Sequence, residues 1–215
     1  MNHPITYPAR PLNGGPLPKA LPKSGPWSYE PKYNGWRALV HAPTGTMFNR
    51  KGEDLTIAGE FKPALQKLKA KAASIATTLE WFDCEALERR HNIGRGTLIV
   101  LDYVSHQSGR STDVPYDQRR FTLQMTGIPE HSSLNVAPAN DSIYLVVSYP
   151  GKNRAAFEAE QKHLHLWDVL QQCNKALGCE FYEGLVTKRT TSNYPIQLRN
   201  PDSEFHYWVK HRWAW

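Results

Sequence analysis

Two rhythms of apolar and polar positions run along the chain. From Trp36 to Val40 and again from Thr46 to Asn49, short runs of β-branched, aromatic and apolar residues flank Pro43, Thr44 and Gly45, which predicts two strands around a turn. Between Gly59 and Ala73 the step lengthens: Phe61, Leu65, Leu68 and Ala72 recur three or four residues apart with lysines between them, the pattern of an amphipathic helix. Strand signals return at Leu79 to Phe82, Thr97 to Val104 and Ile143 to Ser148. Helical spacing occupies Asp117 to Met125 and Arg154 to Leu177, where Phe157, Leu164, Trp167, Leu170 and Leu177 share a face and Gly178 offers a stop. Strands and helices do not alternate regularly, so the expected class is α+β, with mostly antiparallel β-sheets flanked by helices. There is no internal repeat.

The first 29 residues break both rhythms. Six prolines lie between Pro4 and Pro22, Pro26 follows, and Gly14, Gly15 and Gly25 stand among them, which disfavours helix and central strand alike. Residues 1–29 therefore read as an extended, Pro-rich basic arm ahead of a single domain at 30–215. Arg10, Lys19 and Lys23 make the arm positive, with no acid before Glu30, so it suits a path along phosphates as well as a plain surface wrap.

Composition narrows the class. Hydrophobic residues at 40% and charged residues at 21% match an ordinary globular protein rather than a disordered or membrane chain. Apolar stretches such as Leu98 to Leu101 fall far short of the roughly 20 residues that span a bilayer. Without a secretory signal, and with Cys84, Cys173 and Cys179 forming no CxxC pair, the expectation is a cytoplasmic monomer with neither disulfide nor zinc site. A net charge of +6 and a pI near 9.2 are compatible with a polyanionic partner.

The segment that carries chemistry is Glu30-Pro31-Lys32-Tyr33-Asn34-Gly35-Trp36-Arg37, a lysine between an acid and a glycine turn, followed by a second cation. A lysine amine is nucleophilic only when unprotonated, and its reference pKa is about 10.4, so nearby cations, a metal ion or partial burial must activate it. Gly35 would allow a tight turn that presents Lys32 into a pocket.

This segment resembles motif I, KxDGxR, of the covalent nucleotidyltransferases, and its Glu-Pro-Lys opening and Gly-Trp-Arg ending look most like bacterial and phage ATP-dependent DNA ligases. The other family elements follow in order. Asn49-Arg50-Lys51-Gly52 is similar to SRxG, Phe82-Asp83-Cys84-Glu85 to DGE, and Leu98 to Val104, with Leu101-Asp102, to the FD-containing strand. Pro115-Tyr116-Asp117-Gln118-Arg119-Arg120 resembles PLxxRR, Glu183 to Lys188 matches EGxxxK, and Trp208 to Arg212 is similar to WxKxK.

The resemblance implies a nucleotidyltransferase (ATP-grasp-like) adenylation domain whose Lys32 attacks the α-phosphate of ATP and carries AMP. It implies that Glu30 accepts a hydrogen bond from the adenine amino group while Leu101 and Leu185 or Val186 clasp the purine. Arg37, Arg50 and Glu85 would hold the ribose and later the 5′-phosphate of a nick. Glu183, with Glu85, would bind Mg2+ or Mn2+, and Lys210 and Arg212 would contact the α-phosphate. Nicked double-stranded DNA would lie on a basic surface formed by Arg37, Arg50, Lys188 and the arm lysines Lys19 and Lys23.

Four positions depart from the pattern. Asn34 stands where motif I has aspartate, Cys84 replaces glycine in DGE, Leu101 replaces an aromatic residue, and Arg212 replaces the second lysine of WxKxK. The chain ends three residues past Arg212, whereas most such ligases continue into an OB-fold domain. The expectation is a single-domain ligase, with a fragment as the alternative. An RNA ligase, a capping-type guanylyltransferase, or a nucleic-acid-binding module with a vestigial pocket are the competing readings.

Overall fold

The computed structural model describes residues 10–16, 26–75, 79–87, 92–106, 109–110, 113–151, 162–195 and 204–213. Its first half holds strands β1 (Arg10–Asn13), β2 (Trp27–Tyr33), β3 (Trp36–His41) and β4 (Thr46–Phe48), then a 3-10 turn leading into helix α1 (Lys62–Ala72). Strands β5 (Leu79–Leu87), β6 (Thr97–His106) and β7 (Gly109–Arg110) precede helix α2 (Tyr116–Met125), and β8 (Ile143–Leu145) and β9 (Tyr149–Gly151) follow it. Helix α3 (Lys162–Leu177), β10 (Tyr182–Arg189) and β11 (Glu204–Arg212) complete the described elements.

The strands form two sheets. One runs β1-β11-β10-β2-β9, and the other runs β4-β3-β5-β6-β7 with β8 beside β6. Every pairing is antiparallel except β1 with β11 and β6 with β8. The α+β class with mostly antiparallel sheets is thus what forms.

Burial follows the sequence rhythm. On α1, Ala64, Leu65, Leu68 and Ala72 face inward against Ala38, Val40, Phe82 and Val100 of the second sheet, while the lysines between them stay outside. Removing that apolar face from water contributes roughly 25 cal/mol per Å². On α3, Leu166, Leu170 and Cys173 pack with Tyr29, Tyr33 and Leu185 of the first sheet. Gly178 ends α3 in the left-handed conformation at φ 69°, as the stop signal predicts. Residues 154–161 of the expected longer helix, and the side chains of His163 and His165, lie outside the described set.

Two elements differ from expectation at their ends. Strand β2 begins at Trp27, so residues 27–29 are sheet, and the strand crosses the 29/30 boundary drawn from composition. Val146, Val147 and Ser148, expected to continue a strand, leave the ladder after Leu145; Val146 keeps one backbone bond to Val100. The described part of the arm is also more than a wrap: Arg10–Asn13 is an edge strand, the position in a sheet where proline is tolerated.

Candidate active site

Lys32 lies near the end of β2, and Asn34–Gly35 carries the chain from the first sheet into the second. Gly35 is required here by close approach rather than by φ: a Cβ would sit 2.6 Å from the Ala86 carbonyl oxygen and 2.9 Å from Glu85 Cγ. Its N–H donates to Glu85 Oε1 at 2.9 Å, which ties motif I to β5. The aspartate-to-asparagine departure at 34 points away from the chemistry, since the Asn34 amide donates to the Glu180 carbonyl at 2.9 Å.

Strand register aligns the remaining residues. Lys32, Gly184 and Arg212 form one row across β2, β10 and β11; Glu30, Val186 and Lys210 form the next; Ser28, Lys188 and Trp208 form a third. Period-two alternation turns these rows toward the same face. The second sheet contributes Arg37, Asp83, Glu85 and Leu101, with Arg50 from the loop after β4, around a cleft of about 470 Å³. Arg10 and Pro11 of β1 complete its lining.

The innermost part is a charge cluster. Lys32 Nζ lies 2.8 Å from Glu183 Oε2, and Arg212 Nε lies 3.0 Å from the same oxygen. Gly184, beside Glu183, adopts φ 144°, and a Cβ there would lie 1.9 Å from the His211 carbonyl oxygen, so only glycine brings β10 and β11 this close. Burial pushes the Glu85 carboxyl up to about 7; Lys32 and the Gly35 N–H oppose the rise, and the nearby Glu183 charge adds to it. Burial, then the like charges of Arg212, Arg10 and Lys32, pull Lys210 below the ordinary lysine value, with Glu204 opposing.

Arg37 is held by Asp83 in a two-pronged pair, Nε to Oδ1 at 2.9 Å and Nη2 to Oδ2 at 2.7 Å, and Tyr194 donates a third bond to Asp83 at 2.9 Å. At the other end of the cleft, Lys188 Nζ pairs with Glu30 Oε2 at 2.9 Å, donates to the Leu101 carbonyl at 3.0 Å and lies over the rings of Tyr116 and Trp208. Tyr116 donates to the second Glu30 oxygen.

The sequence-expected site residues that the structure describes line one cleft, with two corrections. Leu185 is fully buried among Tyr29, Leu170 and Phe181, so Val186, one residue along the strand, is the one that faces the cleft. Lys188 is 2% exposed and bound to Glu30, so it is an interior cation and not part of an open basic surface. Arg37 lines the cleft with its guanidinium anchored to Asp83. Lys19 and Lys23 lie outside the described residues. Sequence reasoning missed Arg10 as a cleft residue, and it missed Tyr116 and Tyr194 as the hydroxyls that bind Glu30 and Asp83. It also missed the fully buried pair Arg119–Asp102, Nη2 to Oδ2 at 2.9 Å, which joins α2 to β6 behind the cleft.

A metal ion fits only as part of a shared site. Among the described residues no cluster of three or more His, Cys, Asp or Glu could enclose one. Glu183 and Glu85, both in the cleft lining, are of the kind that would supply the one or two carboxylates with which magnesium or manganese binds when substrate phosphates complete its shell.

No family model matches the sequence, and no curated protein matches it. Solved structures do match in fold. The ligase domain of M. tuberculosis LigD superposes with a TM-score of 0.59 at 19% identity, over 96% of this chain and 60% of that one. The Chlorella virus DNA ligase-adenylate gives 0.55 at 13% identity, over 96% of this chain and 68% of that one. An archaeal ATP-dependent RNA ligase gives 0.54 at 14% identity, over 96% and 48%. The chain thus spans three fifths of the mycobacterial domain's length. Its fold is that of the adenylation domain of ATP-dependent polynucleotide ligases.

Proposed function

We propose that this chain is an ATP-dependent polynucleotide ligase that carries AMP on Lys32 and seals nicked double-stranded DNA. The observation that supports it most is the Lys32–Glu183–Arg212 cluster, with Lys32 Nζ 2.8 Å from Glu183 Oε2, in a cleft lined by seven cationic and four acidic side chains. Such a surplus of positive charge suits a polyphosphate, whose transfer needs positioning and neutralisation more than covalent help.

In the first step Glu183, whose Oε2 lies 2.8 Å from Lys32 Nζ, would take a proton from the amine. The amine lone pair forms a bond to the α-phosphorus of ATP, the bond from that phosphorus to the bridging oxygen breaks, and pyrophosphate leaves with the electron pair. Lys210 and Arg212 face the same space and would hold the α-phosphate oxygens. Glu30, Leu101 and Val186 would surround the adenine. Glu183 and Glu85 would hold Mg2+ or Mn2+, which when bound neutralises phosphate charge during the transfer. AMP then passes from Lys32 to the 5′-phosphate of the nick, and the 3′-hydroxyl displaces it to close the strand; Arg37, Arg50 and Glu85 would position that phosphate.

Incubation with α-³²P-ATP or α-³²P-GTP and magnesium tests this reading. The expected result is label on the protein from ATP alone, lost in Lys32→Ala; no label from either nucleotide would overturn it. Nicked duplex DNA is the expected substrate because Glu30-Pro31-Lys32 and Gly35-Trp36-Arg37 resemble DNA ligases. Likeness in fold to an archaeal RNA ligase favours RNA as the second reading, and parallel sealing assays on nicked DNA and nicked RNA decide between the two.

A further inference from the structure

The Pro-rich N-terminal segment supplies a residue to the cleft, and the way it is fastened is as specific as the cleft itself. Strand β1 runs parallel to β11, with Asn13 opposite Lys210 and Leu12 opposite Val209. The Gly14 N–H donates to the Lys210 carbonyl at 3.0 Å, and His211 Nδ1 donates to the Gly15 carbonyl at 3.1 Å. A Cβ on Gly14 would lie 2.5 Å from Val209 Cγ1 and 2.6 Å from His211 Cε1, so only glycine allows the segment to lie this close. His211 is fully buried in this contact. The result of the fastening is that Arg10 and Pro11 line the cleft.

We propose that Arg10 is a substrate-binding residue of the cleft that holds the β- and γ-phosphates of ATP and the departing pyrophosphate. This rests on the ligase reading above and adds a residue to it. Strand order carries the argument. From Lys32 on β2 the sheet continues through β10, with Glu183, and β11, with Lys210 and Arg212, to β1, with Arg10. Three strand spacings separate β2 from β1, roughly 14 Å, and along the strands Arg10, opposite Glu204, is set back from the Lys32–Gly184–Arg212 row toward the Trp208 end. Arg10 and Lys32 both line the cleft, and the charges of both act on Lys210 between them. An in-line displacement places the leaving group on the side of the α-phosphorus away from the attacking amine, and by strand count Arg10 is the cleft cation of this sheet farthest from Lys32. A guanidinium there offers the planar, two-pronged donor pattern that matches phosphate oxygens.

Arg10→Gln should raise the KM for ATP in lysyl-AMP formation about 10-fold. It should raise by a similar factor the pyrophosphate concentration needed to strip AMP from adenylated Lys32. Sealing of a nick that already carries 5′-AMP needs no ATP and should change less than about 2-fold, while Arg10→Lys should recover part of the loss. Gly14→Val, which forces β1 off β11, should reproduce the Arg10→Gln phenotype in a protein whose circular dichroism remains that of the parent. Unchanged KM for ATP and pyrophosphate in Arg10→Gln would overturn the inference. An equal loss in sealing of the pre-adenylated nick would also overturn it, by assigning Arg10 to the nucleic acid. Failure of the unsubstituted protein to take label from ATP would instead sink the ligase reading itself.

Discussion

Lys188 Nζ lies 2.9 Å from Glu30 Oε2, and both side chains are almost wholly buried, at 2% and 1% exposure. Two charges taken out of water together remain tolerable because each satisfies the other, and removing one leaves the second uncompensated. Lys188→Met should therefore destabilise the fold by about 3–5 kcal/mol. The double variant Lys188→Met/Glu30→Gln should recover a large part of that loss in urea denaturation. If Glu30 accepts a bond from the adenine amino group, Lys188→Met should also reduce discrimination between ATP and GTP. An unaltered nucleotide preference in the folded variant would separate Glu30 from base recognition.

The pair also marks where sequence reading stops. Glu30 and Lys188 were both visible as members of family-like motifs, and antiparallel class, α1 and the end of α3 at Gly178 followed from local periodicity and punctuation. What joins Glu30 to Lys188 is the register of β2 with β10, a pairing that brings together residues 158 positions apart and that no local pattern encodes. The same holds for Leu185 against Val186: alternation says that one faces inward and the other outward, but only tertiary packing says which side is the cleft. Arg10 was legible only as charge on an arm, because its place depends on the parallel ladder with β11.

Asp102 and Arg119 present the structural counterpart of the Glu30 pair. Arg119 is wholly buried, Nε and Nη2 bind the two Asp102 oxygens at 2.9 Å each, and Nη1 reaches the Ser192 carbonyl at 3.1 Å. Arg119→Lys keeps the charge but loses the two-pronged geometry. It should cost about 2–3 kcal/mol in chemical denaturation, with Arg119→Met costing more because Asp102 is then left bare. Equal stability of both variants and the parent would show that the pair is compensated elsewhere.

Two buried histidines, His131 and His211, should make the fold less stable in acid. His131 Nε2 donates to the Val136 carbonyl at 3.1 Å, leaving Nδ1 to accept from the Tyr33 hydroxyl at 2.9 Å, and His211 is fully buried against Gly15. Burial lowers both pKa values, His131 and His211 alike, each opposed by its bond to a backbone carbonyl. The unfolded chain therefore binds protons first, near pH 6.5, while the folded chain resists them. Stability contributed by the neutral rings is present above about pH 6.5 and is lost as pH falls below it. Thermal midpoints should fall between pH 7.5 and pH 5, and His131→Gln should flatten that slope; the same slope in the variant would exclude His131 as a source.

Glu183 has the most exacting role, because its Oε2 faces both Lys32 and Arg212. Glu183→Gln keeps size and hydrogen-bonding capacity but removes the negative charge between two cations and, in the proposed mechanism, the acceptor of the Lys32 proton. General-base contributions are typically worth about 10²–10⁴ in rate. Glu183→Gln should accordingly slow transfer of label from α-³²P-ATP to Lys32 by at least about 100-fold. A variant whose adenylation rate matches the parent would remove Glu183 from the activation of Lys32.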